Sequence, residues 1–131
     1  MSWQAYIDTS LVGTGHIDKA AIVSSAGDSV WAASADFTIQ PAELKTITSI
    51  LKGDKATIDK GYAEGLYVAG ERYVLTRCDE DFMYARQGQT GVCVALTRQT
   101  FIVAHHSKDQ IAGNASTTTK ALADYFKNLG Y

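Results

Sequence analysis

The second half of the chain restricts the fold most, because it consists of short β-prone runs separated by short polar breaks. These runs are rich in Val, Tyr, Phe and Thr, the residues that strands favour. In chain order they are Leu66–Val68, Arg72–Cys78, Phe82–Arg86, Val92–Thr97 and Thr100–His106, with a loop predicted at 87–91. Connections of a few residues can join only antiparallel neighbours, so this region predicts a sheet of sequential hairpins.

A further hairpin is predicted nearer the N-terminus. Asp18–Ser25 contains the apolar run Ala21-Ile22-Val23, which predicts a short buried strand. Ala26-Gly27-Asp28 supplies turn residues, and Ser29–Ser34 predicts the returning strand. Trp31 lies in this second strand, where packing into the core is its simplest role.

The first residues predict a short helix with two aromatic side chains on one face. Trp3 and Tyr6 are three residues apart, and Ser10 follows one turn further on. Ile7 and Leu11 form a neighbouring apolar stripe. The stripe can be buried while Trp3 and Tyr6 stay near the surface; burial of both aromatics in the core is the alternative.

The last residues predict a second aromatic helix, and capping residues set the limits of both helices. Ser2 can cap the first helix, and Gly13-Thr14-Gly15 ends it. Ser116 or Asn114 can cap the last helix, and Gly130 suits its end. Residues at helical spacing in the last helix are Leu122, Tyr125 or Phe126, and Leu129.

A third helix is predicted in the middle of the chain, where Pro41 occupies a first helical position. Its buried stripe consists of Leu44, Ile47, Ile50 and Leu51. Residues 52–65 are polar and contain glycines, which predicts a surface loop with at most a helical turn. Helices at both ends and in the middle, together with an antiparallel sheet, indicate an α+β domain.

Composition excludes several classes of function. A net charge of −2 and a pI near 5.8 argue against binding nucleic acid through bulk charge. The sequence shows no leader with a basic and then an apolar part, and no apolar run of membrane-spanning length. Cys78 and Cys93 form no metal or redox motif, so a reducing cytosol with two packed thiols is their simplest setting. A disulfide between them is the alternative.

No set of residues predicts catalysis. Gly13-Thr14-Gly15 follows no strand and Asp18 stands where a dinucleotide loop needs glycine. His105 and His106 are adjacent, so a strand directs them to opposite faces, and a surface or strand-end role is expected for them. Asp79-Glu80-Asp81 lacks the spaced ligands of a calcium loop. We therefore expect a protein that is not an enzyme and that carries no metal and no cofactor.

Five segments of this chain resemble the profilins. They are Ser2–Asp8, Leu11–Gly15, Ala20–Val23, Ser29–Ser34 and Leu122–Tyr125. The resemblance extends over all 131 residues; it is most specific in the first third and the last ten residues and least specific over 52–65. It implies a single domain, residues 1–131, whose central antiparallel β-sheet carries the N- and C-terminal helices together on one face and further helix or helical turns on the other.

The resemblance also implies a groove for proline-rich ligands between the two terminal helices. A polyproline II helix has no internal hydrogen bonds, so aromatic faces can pack on its rings while Trp and Tyr donate to its free carbonyls. The positions that match this groove are Trp3, Tyr6, Trp31, Tyr125, Leu129 and Tyr131. Proline-rich proteins such as formins are the implied partners.

The second implied partner is monomeric actin. Its binding would regulate actin polymerisation and nucleotide exchange in the cytoplasm, at the actin cytoskeleton and cell cortex, by a monomeric protein. The matching positions are Arg72, Leu75, Arg77, Tyr84, Gly113 and Thr117. Arg72 and Arg77 are an odd number of residues apart, so either a bulge or strand-end position brings them to one face or one of them is wrongly matched. A small-ligand sensor with a similar sheet and a closed core pocket is the alternative function.

Phosphoinositide binding is expected to be weak. The candidate residues are Arg72, Arg77, Arg86 and Arg98, and Asp79-Glu80-Asp81 lies among them. Related sequences often carry Arg-Ala-Asp-Asp-Arg-Ser-Ile-Tyr-Gly-Lys-Lys-Gly where this chain has residues 77–88. Asp81 stands in place of a basic residue, Ala85 of a glycine and Gln87 of a lysine.

Overall fold

The computed structural model describes residues 3–131, in which one seven-stranded sheet has only antiparallel neighbours. The strands are β1 (Lys19–Ser24), β2 (Val30–Ala33), β3 (Leu66–Val68), β4 (Glu71–Cys78), β5 (Phe82–Gln87), β6 (Thr90–Leu96) and β7 (Thr100–His106). Their spatial order is β2-β1-β7-β6-β5-β4-β3, which confirms the predicted hairpins. β1 joins the two groups of strands by pairing with β7, with Ala21 opposite Val103.

Helical elements lie at both ends and in the middle of the chain. An N-terminal helical segment starts as α1 (Trp3–Ala5), continues as a π-helical stretch (Tyr6–Leu11) and ends in a 3₁₀ turn (Val12–Thr14). The other helices are α2 (Pro41–Leu51), α3 (Lys55–Ala63) and α4 (Ala112–Asn128). Gly15, which directly follows the N-terminal helical segment, adopts a left-handed conformation with φ +82°. This confirms the predicted end of the first helix. The predicted Ser2 cap lies outside the described residues.

Both faces of the sheet are covered, so alternate residues of each strand enter two separate cores. In β1, Ala21 and Val23 pack on the side of α2, whereas Ala20 and Ile22 pack on the side of the terminal helices. A strand buried on both faces needs apolar residues at every position, which explains the uninterrupted run predicted there. The predicted placement of the two terminal helices on one face and other helices on the opposite face is confirmed.

The middle helix follows its sequence signals closely. α2 begins at Pro41, after Gln40 in an extended conformation, and the four residues of its predicted stripe are buried. The two cysteines are free thiols, as expected, with Cys93 buried and Cys78 half-buried. Burial raises the pKa of Cys93 to about 11, with small opposing effects from neighbouring hydroxyls, so it behaves as a small packed residue.

The prediction of a loop over 52–65 was wrong, because α3 occupies most of it. Gly53 takes up a left-handed φ of +85° that ends α2, and the Asp54 carboxylate then accepts the Thr57 N–H at 3.3 Å as a helix cap. Gly61 is the buried residue of α3 and lies against Leu75. A helix that packs through a glycine offers almost no apolar periodicity, so its hydrophobic pattern could not reveal it.

Two other boundaries differ from the sequence prediction. α4 begins at Ala112, before the proposed caps Asn114 and Ser116, which lie inside the helix. Ser116 hydrogen-bonds the buried Cys93 thiol at 3.6 Å, so it is used for packing on β6 rather than for capping. The expected loop at 87–91 is a tight hairpin, in which Gln87 pairs directly with Thr90.

A β-bulge in β4 settles the question raised by Arg72 and Arg77. Leu75 pairs with Ala85 and Arg77 pairs with Tyr84, which leaves Thr76 as an extra residue. The bulge reverses the alternation, so Arg77 joins Arg72 on the face that carries the terminal helices. Of the three alternatives, a bulge, a strand-end position or a wrong match, the structure confirms the bulge.

The two adjacent histidines lie on opposite faces at the end of β7, as predicted, but both are buried rather than exposed. His105 Nδ1 lies 2.6 Å from an Asp18 carboxylate oxygen, which can only accept, so Nδ1 carries the proton. Burial lowers the pKa of His105, although its hydrogen bond with Asp18 acts in the opposite direction. The neutral form is therefore the one that folding favours at neutral pH.

A single carboxylate joins α2 to the turn between β3 and β4. Glu43 is only 9% exposed and accepts backbone N–H groups from Gln40 at 2.8 Å, Ala69 at 3.0 Å and Gly70 at 2.9 Å. Ala69 and Gly70 form a two-residue turn with positive φ values of 51° and 83°, which directs both N–H groups towards one acceptor. Glu43 thus satisfies the start of a helix and a strained turn together.

We expect Glu43→Ala to lower the free energy of unfolding by about 3 kcal/mol, because three part-buried backbone N–H groups lose a charged acceptor. Urea unfolding followed by circular dichroism measures the change. Glu64→Ala, at an exposed glutamate at the end of α3, is the matched control and should change stability by less than about 0.5 kcal/mol. Equal stability of the two variants would show that Glu43 does not hold the turn.

Candidate functional site

The six residues predicted for a proline-rich ligand lie on one surface formed by the terminal helical elements and β2. The Trp3 ring is central, with ring centres 5.9 Å from Tyr6, 4.8 Å from Trp31 and 5.0 Å from Tyr131. The remaining link is Tyr6 to Tyr125, at 6.0 Å. We call these residues the aromatic surface: Trp3, Tyr6, Trp31, Tyr125, Leu129 and Tyr131.

Helical geometry separates the buried and exposed aromatics of α4. Phe126 is fully buried, with Trp3 and Tyr6 edge-on to its ring at 5.3 and 4.9 Å. Tyr125 and Leu129 are one turn apart and are 49% and 50% exposed. The sequence left open whether Tyr125 or Phe126 belongs to the buried stripe of α4. In the structure Phe126 lies in the core and Tyr125 in the aromatic surface.

Trp31 reaches this surface from an irregular position in an edge strand. Ile22 pairs with Ala32 and Val23 pairs with Val30, so Trp31 is the extra residue of a β-bulge. The bulge lets a strand residue turn its ring towards the N-terminal helix. Sequence alternation gave no sign of it.

Tyr131 is fixed by the turn between β6 and β7. Its carbonyl oxygen accepts hydrogen bonds from the Gln99 N–H and from the Thr97 hydroxyl, the latter at 2.8 Å. Its own N–H donates to the Phe126 carbonyl at 2.9 Å. Thr97 and Gln99 were not among the predicted site residues, because only the folded chain brings them to residue 131.

The aromatic surface offers both flat apolar faces and hydrogen-bond donors. Tyr125 and Tyr131 are 49% and 40% exposed, while Trp3, Tyr6 and Trp31 are half-buried. Burial, followed by the hydrogen bond with Tyr125, raises the pKa of Tyr6 above its ordinary value. The Tyr6 hydroxyl therefore remains protonated at neutral pH and can donate.

A second, more polar surface lies on the same face of the sheet, at β4–β6 and the start of α4. Tyr84 donates its hydroxyl to His106 Nε2 at 2.6 Å, since His106 Nδ1 is directed at the Ser107 carbonyl. Gly91 leaves the room for this pair, because a Cβ there would lie 2.5 Å from the Tyr84 oxygen. The pair is buried and forms the floor of the surface.

Comparison with known proteins identifies the family. The family model described as Profilin matches residues 1–131. The chain belongs to the profilin family. Profilin of Schizosaccharomyces pombe is 40% identical over 131 residues, with complete coverage of both chains.

Solved profilin structures share the whole fold. A crystal structure of the Schizosaccharomyces pombe profilin has a TM-score of 0.91 and covers 99% of this chain and 100% of its own. Acanthamoeba castellanii profilin IA gives the same score and coverage at 35% identity. Mouse profilin IIa, solved in complex with a double repeat from the FH1 domain of mDia1, is 23% identical with a TM-score of 0.79, which shows a common fold.

Five of the six residues matched to the actin surface of profilins lie on the face of the sheet that carries α4. Gly113 and Thr117 are exposed in the first turns of α4, and Arg72 and Arg77 are exposed on β4. Tyr84 is 9% exposed. The sixth assignment, Leu75, was wrong for a surface contact.

Leu75 is 2% exposed and packs in the core on the opposite face. Because Leu75 comes before the bulge, it lies on the same face as Tyr73, which is buried in the same core. Arg77 comes after the bulge and lies on the other face. Its side chain supports the sheet from the side of α3.

The four arginines considered for phosphoinositides do not form one cluster. Arg77 and Arg98 lie at one end of the sheet, near the β4–β5 and β6–β7 turns, whereas Arg72 and Arg86 lie towards the other end. Arg77 also pairs with Asp79 at 2.8 Å. The basic charge available at either end is therefore small.

Asp81 is engaged by a lysine of α4. Its carboxylate lies 2.9 Å from Lys127 Nζ, and that hydrogen bond lowers the pKa of Asp81, against a smaller opposing effect of burial. Nearby, Lys120 Nζ stands 4.4 Å from the centre of the Phe82 ring, with Arg77 at 5.5 Å. This end of the sheet thus mixes acids and bases.

Four grooves of residues 3–131 lie open at the surface between secondary-structure elements, and clusters of buried apolar side chains form the two cores. The small-ligand sensor considered as an alternative would need an enclosed pocket.

Within residues 3–131, no helix has the length and apolar content needed to cross a membrane.

Proposed function

We propose that this profilin binds proline-rich segments in the polyproline II conformation on its aromatic surface and monomeric actin on its second surface. It would act as a monomeric, non-enzymatic protein of the cytoplasm that regulates actin polymerisation and nucleotide exchange at the actin cytoskeleton and cell cortex. The observation that carries the proposal is the joining of both chain ends in one exposed aromatic surface.

The aromatic surface suits an extended, proline-rich ligand. Such a ligand is stiff before it binds, so ordering it costs little, and its rings pack flat on aromatic side chains. Indole N–H and phenol O–H groups at the margins can donate to ligand carbonyls, which have no partner within a polyproline II helix. Proline-rich segments of formins are the proposed partners of this kind.

We expect Trp3→Ala and Tyr125→Ala each to weaken binding of decaproline by at least about tenfold, because each removes an aromatic face from a small site. The two tryptophans of the chain, Trp3 and Trp31, both lie in the aromatic surface, so intrinsic fluorescence reports on occupancy. Isothermal titration calorimetry measures the variants.

Tyr62→Ala is the control for this experiment, since Tyr62 is a 45% exposed tyrosine on α3, on the opposite face. It should bind decaproline as the wild type does. Because Trp3 also packs on Phe126, thermal unfolding of Trp3→Ala is measured in parallel. Wild-type affinity in a folded Tyr125→Ala variant, with no fluorescence change on adding decaproline, would refute the site.

The second surface suits a large protein partner rather than a small ligand. Its exposed members come from β4 and from the first turns of α4, on a supported sheet. Arg72 is held by the Glu64 carbonyl at 2.6 Å, which orients its side chain without neutralising its charge. Family membership supports actin as the partner.

We expect Arg72→Glu to weaken binding of fluorescently labelled actin monomer by at least about tenfold, because a positive contact becomes a repulsive one. Decaproline affinity should stay unchanged, since Arg72 is remote from the aromatic surface. Arg98→Glu is the matched charge reversal in the exposed β6–β7 turn and should bind actin normally. No binding of actin by the wild type at high micromolar concentration would contradict the actin assignment.

We expect phosphoinositide binding to be weak and salt-sensitive, and Asp81→Arg to strengthen it. The substitution removes one acid and adds one base, and it also releases Lys127 from its ion pair. A change of two charge units near an anionic surface corresponds to about 2 kcal/mol of binding free energy, or about thirtyfold in affinity. Co-sedimentation with phosphoinositide vesicles across a salt series measures it. Asp59→Arg on α3 is the control. Equal binding of the wild type and both variants at low salt would show that the end of the sheet at Asp81 does not contact the lipid.

A further inference from the structure

A groove runs between the N-terminal helical segment and α4, and it begins at the aromatic surface. One wall carries Tyr6, Ser10 and Thr14, each four residues from the next; the other carries Thr117, Ala121 and Tyr125 at the same spacing. We call this feature the interhelical groove; its lining residues are Tyr6, Ser10, Thr14, Thr117, Thr118, Ala121, Leu122 and Tyr125. Tyr6 and Tyr125 belong both to the groove and to the aromatic surface.

Small side chains open the groove. Beyond the Tyr6–Tyr125 pair the walls carry serine, threonine and alanine, while Leu122 lies buried in its floor. The volume is about 470 Å³, within the range of pockets that take organic ligands. Thr117 and Tyr125 are eight residues apart, which is about 12 Å along an α-helix. A polyproline II segment of about four residues has that length.

The chemistry of the lining matches an uncharged peptide. None of the eight lining residues is charged. The hydroxyls of Thr14 and Thr117 donate within their own helices, to Leu11 at 2.6 Å and Gly113 at 2.9 Å, so those positions can turn methyl groups to the groove. Within residues 3–131, the Ser10 and Thr118 hydroxyls have no hydrogen-bond partner, so they are free to donate to ligand carbonyls.

We propose that the interhelical groove is an extension of the proline-rich site, occupied by a continuation of the same uncharged polyproline II segment past the Tyr6–Tyr125 pair. This inference rests on the proposed binding of proline-rich ligands. It makes the footprint longer than the aromatic surface by about four residues. Ligands with a long uninterrupted uncharged stretch would therefore be preferred over ligands with a short one.

The test compares hexaproline with dodecaproline on the wild type and on Ala121→Trp. Ala121 is exposed in the wall of the groove, and an indole there fills the space between the two helices. Dodecaproline should lose at least about fivefold in affinity, while hexaproline, which the aromatic surface alone can hold, should change by less than about twofold. Dodecaproline can bind in more positions along its repeat than hexaproline can, which raises its apparent affinity for both proteins. Comparing the wild type with Ala121→Trp for the same peptide removes this statistical effect.

Asn114→Trp is the matched control, because Asn114 is exposed on α4 outside the groove; it should leave both peptides unaffected. A second variant, Ala121→Glu, places a negative charge in the groove. It should bind a proline hexamer with a lysine tail more tightly than one with a glutamate tail. The tail is placed at the N-terminus in one set of peptides and at the C-terminus in another. Equal affinities of wild type and Ala121→Trp for dodecaproline, or equal losses for both peptides, would overturn the extension. Failure of wild type to bind either peptide would instead refute the proline-rich function itself.

Discussion

Phe126 is the contact on which the functional architecture depends. It is fully buried beneath the two N-terminal aromatics, with Trp3 and Tyr6 both edge-on to its ring. Edge-on aromatic contacts add to the free energy of burial and fix the relative orientation of the rings. Phe126 supports from below the Trp3–Tyr131 and Tyr6–Tyr125 contacts, which join the N-terminal helical segment and the C-terminal residues in a single surface.

The sheet provides the support for that arrangement. Since both faces are covered, a strand such as β1 is apolar at successive positions and cannot slip by one residue without exchanging its two cores. The terminal helices therefore rest on a fixed base. The aromatic surface lies at the end of α4 and the second surface at its start, and the interhelical groove runs between them as far as Thr117.

Much of this could be predicted from the sequence, because much of it is local. Short breaks between β-prone runs specify hairpins, Pro41 marks a helix start, and aromatic spacing at both ends indicates an exposed face. The family resemblance supplied the grouping of the terminal aromatics, which no spacing within one helix could provide. The five aromatic residues of that group do lie together, and Leu129 follows one helical turn after Tyr125.

The remaining features are set by tertiary contacts that leave no local pattern. α3 packs through Gly61, and α4 begins at Ala112 without a side-chain cap. The positions of Trp31 and Arg77 depend on bulges, and a bulge is defined by the partner strand. Leu75 was assigned from the family resemblance alone, although it follows the regular alternation of Tyr73 into the core.

The bulge at Thr76 also bears on how sequences of this type can change in length. Arg77 pairs with Tyr84 and Cys78 pairs with Met83, and these are the partners that a regular strand without Thr76 would give them. Loss of Thr76 would therefore leave the orientations of Arg77 and Cys78 unchanged. The bulge is thus the one described position of β4 where a residue can be lost while the pairing with β5 is kept, whereas a deletion at a paired position shifts the register and exchanges the two faces. By contrast, the exposed residues of α3 lie outside the sheet register, and divergence in length can accumulate there without altering either surface.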